Sequence, residues 1–444
     1  MLDDRTILDA CAVDVRFPAG GSVPVEALLG ALSTHGVPPR AGDPDKSRPS
    51  QAGAAGGSRP SQAGGGVLEV GDGRVREFLA AFGRRLLRPA LARRHPELGS
   101  LGFFLRPSEL ARTVEGLGHD HIRVPRGLVF HVPPANVDTV FVYSWALSAL
   151  MGNRNVVRLS PRSGPVADAI VETLHEALAD ADPVIAATQR VISYDRSDAV
   201  TAALSAACDL RVVWGGDRTV REIRRYALAP HARDLTFPDR SSFAVLRAAA
   251  WLCAPRAARV TVAEGFVNDT YWFDQAACSS PRTVYWVGDA DDCEAARADF
   301  TDHVARVVTV RGWGVDAAMA VEKRVSTYGL AADGLAESVE FHGNALASVR
   351  LSAAAAAPRR WLGAGTFAHA RLAALPELVA LVERRDQTMT HFGFDRAELE
   401  ELARGLAGRG VDRMVPVGSA LSFHRVWDGV DLPAEFTRLV TVVK

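Results

Sequence analysis

A cysteine does covalent chemistry as the thiolate, so a catalytic one needs donors or positive charge nearby and a route for substrate. The chain has five cysteines, at 11, 208, 253, 278 and 293, in different settings. Cys293 lies in Asp291-Asp292-Cys293-Glu294, where three carboxylates oppose ionisation. Cys208 and Cys253 fall in alanine- and leucine-rich stretches that predict helices, where thiols are buried packing groups. Cys11 opens a short apolar stretch. Cys278 is different: it follows Asp274-Gln275-Ala276-Ala277 and precedes Ser279-Ser280-Pro281-Arg282, a polar turn with a cation close by. It is the candidate nucleophile, although local context alone favours a packing role, as for most free cysteines.

The elements that would position it alternate. Gly127 to Val132 is a short apolar run stopped by Pro133-Pro134, Val137 to Leu150 reads as a buried helix, and Gly152-Asn153 ends it. Asn155 to Leu159, Arg190 to Tyr194 and Leu210 to Trp214 read as strands, with helices at Pro165 to Leu178 and Ser197 to Ala207. Strands separated by helices at this spacing predict an α/β fold with a doubly wound parallel sheet, which binds ligands outside the carboxyl ends of its strands. Those ends are Pro133 to Asn136, Ser160 to Ser163 and Gly215-Gly216. A second α/β region begins near Phe237, with strands expected at Phe243 to Leu246, Thr283 to Val287 and Val307 to Val310, and a helix at Ala290 to Arg306. Val75 to Arg94 and Glu109 to Leu117 read as amphipathic helices ahead of the first sheet. Residues 40–66 are rich in Gly, Ala, Ser and Pro and contain Ser-Arg-Pro-Ser-Gln-Ala-Gly twice, from Ser47 and from Ser58; this composition predicts a disordered insertion. The expected organisation is an N-terminal segment 1–39, the insertion 40–66, helices and a nucleotide-binding domain 67–236, a catalytic domain 237–413, and a C-terminal strand or arm 414–444.

Composition narrows the class. The formal net charge of -1 and pI near 6.9 give no global field to draw nucleic acid or anionic lipid. No uncharged apolar stretch is long enough to span a membrane, and the N-terminus has no leader pattern, so the expectation is a cytoplasmic protein without nucleic-acid or membrane partners. An odd cysteine count without C-x-x-C spacing predicts free thiols and no zinc site.

Four motifs in order carry a resemblance. Pro125-Arg126-Gly127-Leu128-Val129-Phe130-His131-Val132-Pro133-Pro134-Ala135-Asn136 resembles the P-x-G-V-V strand ending in P-W-N of the aldehyde dehydrogenase superfamily, with Ala135 in place of the Trp. With Gly152 to Ser160, Val213-Trp214-Gly215-Gly216-Asp217 and Gln275 to Pro281, it is similar to the acyl-CoA reductase family, which includes the fatty acid reductase of bacterial luminescence. The resemblance extends from about His95 to Trp427-Asp428-Gly429. It implies an aldehyde dehydrogenase-like fold with a second α/β catalytic domain, and NADPH-dependent reduction of an acyl thioester, from CoA or an acyl carrier protein, to the aldehyde. It gives Cys278 the role of nucleophile and makes the Asn136 side chain and the Cys278 backbone N–H the oxyanion donors. Gly215 and Gly216 would let the backbone approach the nucleotide. The superfamily's Lys-Pro-Ser-Glu segment falls on Leu159-Ser160-Pro161-Arg162, so Arg162 replaces the acid that meets the NAD ribose; with Arg158 and Ser160 nearby, NADP is expected. The Glu that activates water in acid-forming members corresponds to Thr236, which cannot act as that base. Aldehyde oxidation to acyl-CoA or acid, and a non-redox acyl-holding subunit, are the alternatives. A homo-oligomer is expected. His131, His231, His303 and His391 are candidate proton donors, none assigned.

Overall fold

The computed structural model describes residues 11–18, 20–34, 67–118, 121–134 and 139–443. The predicted insertion at 40–66 and Asn136 lie outside these residues. The chain divides into two compact units, one formed by Met1–Trp214, Arg218–Thr236 and Leu432–Lys444, the other by Gly215–Asp217 and Phe237–Asp431.

The first unit holds a seven-stranded sheet in the order Gly21–Pro24, Ala12–Phe17, Gln189–Ser193, Arg154–Leu159, Leu128–Val132, Leu210–Trp214, Arg233–Phe237. Its four central strands are parallel, and Ala12–Phe17 joins antiparallel at the edge. Leu128–Val132 and Leu210–Trp214 are buried on both faces, as apolar runs in a parallel sheet must be. The helices Pro89–Arg94, Pro107–Glu115, Pro165–Leu178 and Pro183–Thr188 each open on proline, whose missing N–H costs nothing in the first turn. Val75 to Arg94 is therefore two helices, Gly73–Leu86 and Pro89–Arg94, because Pro89 cannot continue the first. The segment after Leu432 returns to this unit, where Thr437–Val440 pairs antiparallel with Ile122–Pro125.

The second unit holds another seven-stranded sheet, ordered Ala336–His342, Leu346–Leu351, Thr366–Leu372, Pro281–Val287, Ser241–Arg247, Asp386–Phe392, Arg413–Pro416. All pairs are parallel except the first. Side chains alternate between its faces: Phe243, Val245, Tyr285 and Val287 enter one core, Ala244, Leu246, Val284 and Trp286 the other. The expected strand at Val307 to Val310 is instead the last turn of a helix, Ala290–Val310; Val304 and Val308, four apart, continue its buried face, and this outweighs the β preference of the valines.

Candidate active site around Cys278

Cys278 sits just before the central strand Pro281–Val287, at the amino-terminal edge of the second sheet. Phe273, Asp274 and Gln275 precede it with φ of 58°, 52° and 59°. Three successive side-chain-bearing residues in this left-handed region cost about 1–2 kcal/mol each, so other contacts must hold the turn. The Gln275 side chain, 1% exposed, supplies most of them. Its Nε2 donates to the carbonyls of Pro281 (2.8 Å) and Thr366 (3.1 Å), and its Oε1 accepts from the Thr366 N–H at 3.1 Å. Trp361 Nε1 donates to the Asp274 carbonyl at 3.0 Å, and Ser280 Oγ to the Asp269 carbonyl at 2.7 Å. The nucleophile's own carbonyl accepts from Ser242 Oγ at 2.7 Å, and that oxygen accepts from the Thr388 N–H at 3.1 Å. The starts of three neighbouring strands thus fix Cys278.

Gln387, Arg282 and Arg240 favour the Cys278 thiolate, and Asp428 opposes it. Gln387 Nε2 also donates to Asp428 Oδ1. Arg240 pairs with Asp412, which Arg384 reaches at 3.4 Å. The Nε–H groups of Arg240 and Arg282 are buried and have no hydrogen-bond partner among the described residues. Cys278 keeps partial access to solvent. Burial, then Asp428, push its thiol up to about 12, against the weaker pull of Gln387, Arg282 and Arg240. Arg282, the cation that the sequence sets beside the thiol, is present, but the resting site favours the neutral form.

Asp428 reaches Gln387 because of a tight hairpin. Val426–Trp427 pairs with Val430–Asp431, leaving Asp428-Gly429 as a two-residue loop with φ of 49° and 73°. Both residues at positive φ is the type I′ pattern for which Asp-Gly is a preferred sequence. Gly429 also packs against Asp412, whose Oδ1 would lie 3.0 Å from any added Cβ. Sequence reasoning missed Gln387 and Asp428 as partners of the thiol; the legible signal was the Asp-Gly pair between short apolar runs.

The other cysteines separate from Cys278. Cys208 is buried and pushed up to about 12 by desolvation. Cys293 is buried and raised, by desolvation before its acidic neighbours. Cys253 is exposed, against the expectation of a buried thiol: on the short helix Ala248–Cys253, Ala248 and Trp251 face inward, and a residue two beyond Trp251 points away.

In the first unit, Arg158, Ser160 and Arg162 lie at the carboxyl end of the strand Arg154–Leu159. The Arg158 guanidinium stacks over the Tyr194 ring at 4.6 Å, with its Nε buried and without a hydrogen-bond partner among the described residues. Ser160 Oγ accepts from the Arg162 N–H at 3.2 Å, and the Arg162 side chain is exposed. Gly215, at φ 156°, donates its N–H to the Phe237 carbonyl, and Gly216 packs 3.1 Å from Asp239 Oδ2 where a Cβ would sit. The helix Asp217–Arg224 follows at once. Thr236 accepts a hydrogen bond from Arg224 at 3.4 Å and carries no ionisable group. His131 is fully buried: Asn155 Oδ1 accepts from its Nε2 at 2.9 Å, so its Nδ1 accepts from Ser144, and burial pushes it down to about 4. His231 pairs with Asp209 and His303 with Asp299.

Two parallel-rich α/β units, with a cysteine at the edge of the second sheet, define the aldehyde dehydrogenase fold. The chain superposes on a NAD-dependent benzaldehyde dehydrogenase from Corynebacterium glutamicum with a TM-score of 0.58 at 13% identity, covering 84% of each chain. An indole-3-acetaldehyde dehydrogenase from P. syringae, solved with NAD+ and IAA, gives 0.58 at 12% identity over 83% of each chain. At this identity the likeness concerns the fold. More narrowly, residues 106–310 match the family model of acyl-CoA reductase (LuxC), the family the motifs resemble. The chain is 25% identical over 165 residues to the long-chain acyl-protein thioester reductase of Aliivibrio fischeri, covering 37% of this chain and 33% of that one. It is 26% identical over 171 residues to long-chain acyl-protein thioester reductase 2 of Photobacterium leiognathi, covering 38% and 34%. The matched segment thus spans about a third of each of these relatives. Among the described residues, no helix is long and apolar enough to cross a membrane.

Proposed function

We propose that this chain reduces an acyl thioester to the aldehyde with NADPH, through an acyl group held on Cys278. The observation that supports it most is the Cys278 site: a partly exposed cysteine on a strained, tightly anchored turn, with Gln387, Arg282 and Arg240 favouring its thiolate. The sulfur attacks the thioester carbonyl, and the bond to the CoA or carrier thiol breaks, leaving the acyl group on Cys278. The Cys278 N–H is a donor for the oxyanion, and the resemblance gives Asn136, outside the described residues, the same role. NADPH, when bound, supplies the hydride. The resulting thiohemiacetal on Cys278 collapses to aldehyde and thiolate.

The Arg158, Ser160 and Arg162 cluster suits the 2′-phosphate of NADPH: Arg158 has a buried Nε–H with no partner among the described residues and a ring that fixes its plane, and Arg162 offers an exposed cation. Gly215 and Gly216 let the backbone come close to a nucleotide ahead of the helix Asp217–Arg224, whose first N–H donates to the Asp239 carboxylate at 3.0 Å. Oxidation to acid would need a base to activate water, and Thr236 offers none. The names of the two luminous-bacterial relatives favour a protein-borne acyl group over acyl-CoA. The test is oxidation of NADPH with release of aldehyde on incubation with acyl-CoA and acyl carrier protein thioesters, abolished by Cys278→Ala. Turnover unchanged in that variant would refute the reading.

A further inference from the structure

A cavity of about 590 Å³ opens in the second unit, where the helix Ala290–Val310 ends beside the start of the strand Leu346–Leu351. Apolar side chains supply much of its wall: Ala305 and Val308 from the helix, Trp313 just after it, and Ala345 and Leu346 from the facing turn and strand. Asp302 and Arg306 stand exposed at its mouth with opposite charges, so neither sign of ligand charge is favoured there. Hydrogen bonds hold the wall in place. The Ala345 carbonyl accepts from the Tyr271 hydroxyl at 3.1 Å and from Lys323 Nζ at 2.9 Å, and Lys323 Nζ also donates to the Asn344 carbonyl at 2.8 Å. A preformed cavity of this volume with an apolar wall suits a hydrophobic ligand.

Two observations join the cavity to the nucleophile. The first is the register of the sheet. Val349, Ala368 and Thr283 form one row across three neighbouring strands, so two residues earlier Ala347, Thr366 and Pro281 form the next. Gln275 Nε2 donates to the carbonyls of both Thr366 and Pro281, as that second row requires. Ala345 and Leu346 therefore lie level with Ser279 and Ser280, two strand spacings or about 10 Å from them. The second observation is the segment that carries Cys278, which begins at the cavity. Tyr271 bonds the cavity wall, and the Trp272 ring packs edge-on against Trp313 with centroids 4.9 Å apart. Trp272, Phe273 and Trp313 are only half-buried, so aromatic surface stays open along this segment.

We propose that the cavity receives the far end of a long acyl chain whose carbonyl carbon is bonded to Cys278, and that it thereby sets the chain length this protein prefers. The inference rests on the thioester reading above. A short acyl group ends before the cavity, whereas a long one reaches it and buries its last methylenes there. Each methylene moved out of water is worth about fourfold in affinity. The reacting carbonyl and the carrier are the same for both chains, so the cavity acts on KM for long chains and leaves short ones untouched.

The test compares butanoyl-CoA with tetradecanoyl-CoA, each with NADPH, in the wild-type chain and in two variants that fill the cavity: Ala305→Phe from the helix and Thr309→Trp from its exposed rim. Shutting out two or three methylenes raises KM for tetradecanoyl-CoA by at least about tenfold, while kcat/KM for butanoyl-CoA stays within about twofold of wild type. No change with either substrate in the two variants, or an equal loss with both substrates in Thr309→Trp, overturns the proposal. If the wild-type chain reduces no acyl thioester, the thioester reading fails, and calorimetric titration of tetradecanoic acid then decides the cavity by itself. Binding to the wild-type chain that both variants weaken at least about tenfold supports a site for an apolar chain. No binding to the wild-type chain, or equal binding to all three proteins, overturns it.

Discussion

Replacing Gln275 with methionine removes the polar end of one buried side chain at nearly constant volume, and the hydrogen bonds around it set the cost. Two backbone carbonyls lose a side-chain donor, those of Pro281 and Thr366, while the Thr366 N–H keeps its bond to the Gly363 carbonyl at 3.2 Å. Each unsatisfied buried group costs about 1–3 kcal/mol. The losses share one strand junction and are not additive, and partial release of the left-handed turn at Phe273 to Gln275 offsets some of them. The expected net loss is about 2–4 kcal/mol. For a unit of this size, that lowers the midpoint of its thermal transition by about 10 °C. Calorimetry with urea unfolding as a second probe reads the change. Since the same bonds anchor the turn before Cys278, alkylation of that thiol should also lose its single sharp pH midpoint. A stability change below about 1 kcal/mol would refute the claim that Gln275 holds the nucleophile's loop.

Burial pushes His131 down to about 4 and His369 to about 3. In the unfolded chain both bind a proton near pH 6.5, so the unfolded state gains protons as pH falls from 6.5 toward 4 and folding stability is lost in that direction. His131 alone contributes about 3 kcal/mol at most to that loss, and urea unfolding of His131→Gln should show a flatter acid limb; an unchanged limb would contradict it. Arg162→Glu should weaken NADPH at least about tenfold more than NADH in direct titration, and equal weakening would remove Arg162 from the 2′-phosphate site.

Much of the fold is legible because parallel strands and their crossover helices write different periods into the chain. Pro165–Leu178 and Leu210–Trp214 carry clear ends, a proline at the first helical position and a Gly-Gly after the last strand residue. Val307 to Val310 misleads because β-branched residues are also acceptable at a helix end when burial favours them. Val75 to Arg94 reads as one helix by periodicity alone, although Pro89 is present to divide it. At the site, Cys278 stands out by its polar neighbours, whereas its partners do not. Gln387 begins a strand more than a hundred residues later, and Asp428 sits in a hairpin later still. Their approach is a property of sheet order, in which Asp386–Phe392 and Pro281–Val287 flank Ser241–Arg247, and sequence spacing carries no trace of it. The raised thiol has the same origin: local residues advertise Arg282, while the opposing Asp428 and the burial arrive with the tertiary structure.

The central claim, that Cys278 carries the acyl group on its way to aldehyde, is tested most directly by mass spectrometry of the protein quenched after mixing with an acyl thioester. The account predicts an acyl mass confined to the Cys278 peptide, its disappearance on adding NADPH with aldehyde appearing in equal amount, and no adduct in Cys278→Ala. An acyl adduct on another residue, or one on Cys278 that NADPH does not discharge, would contradict it.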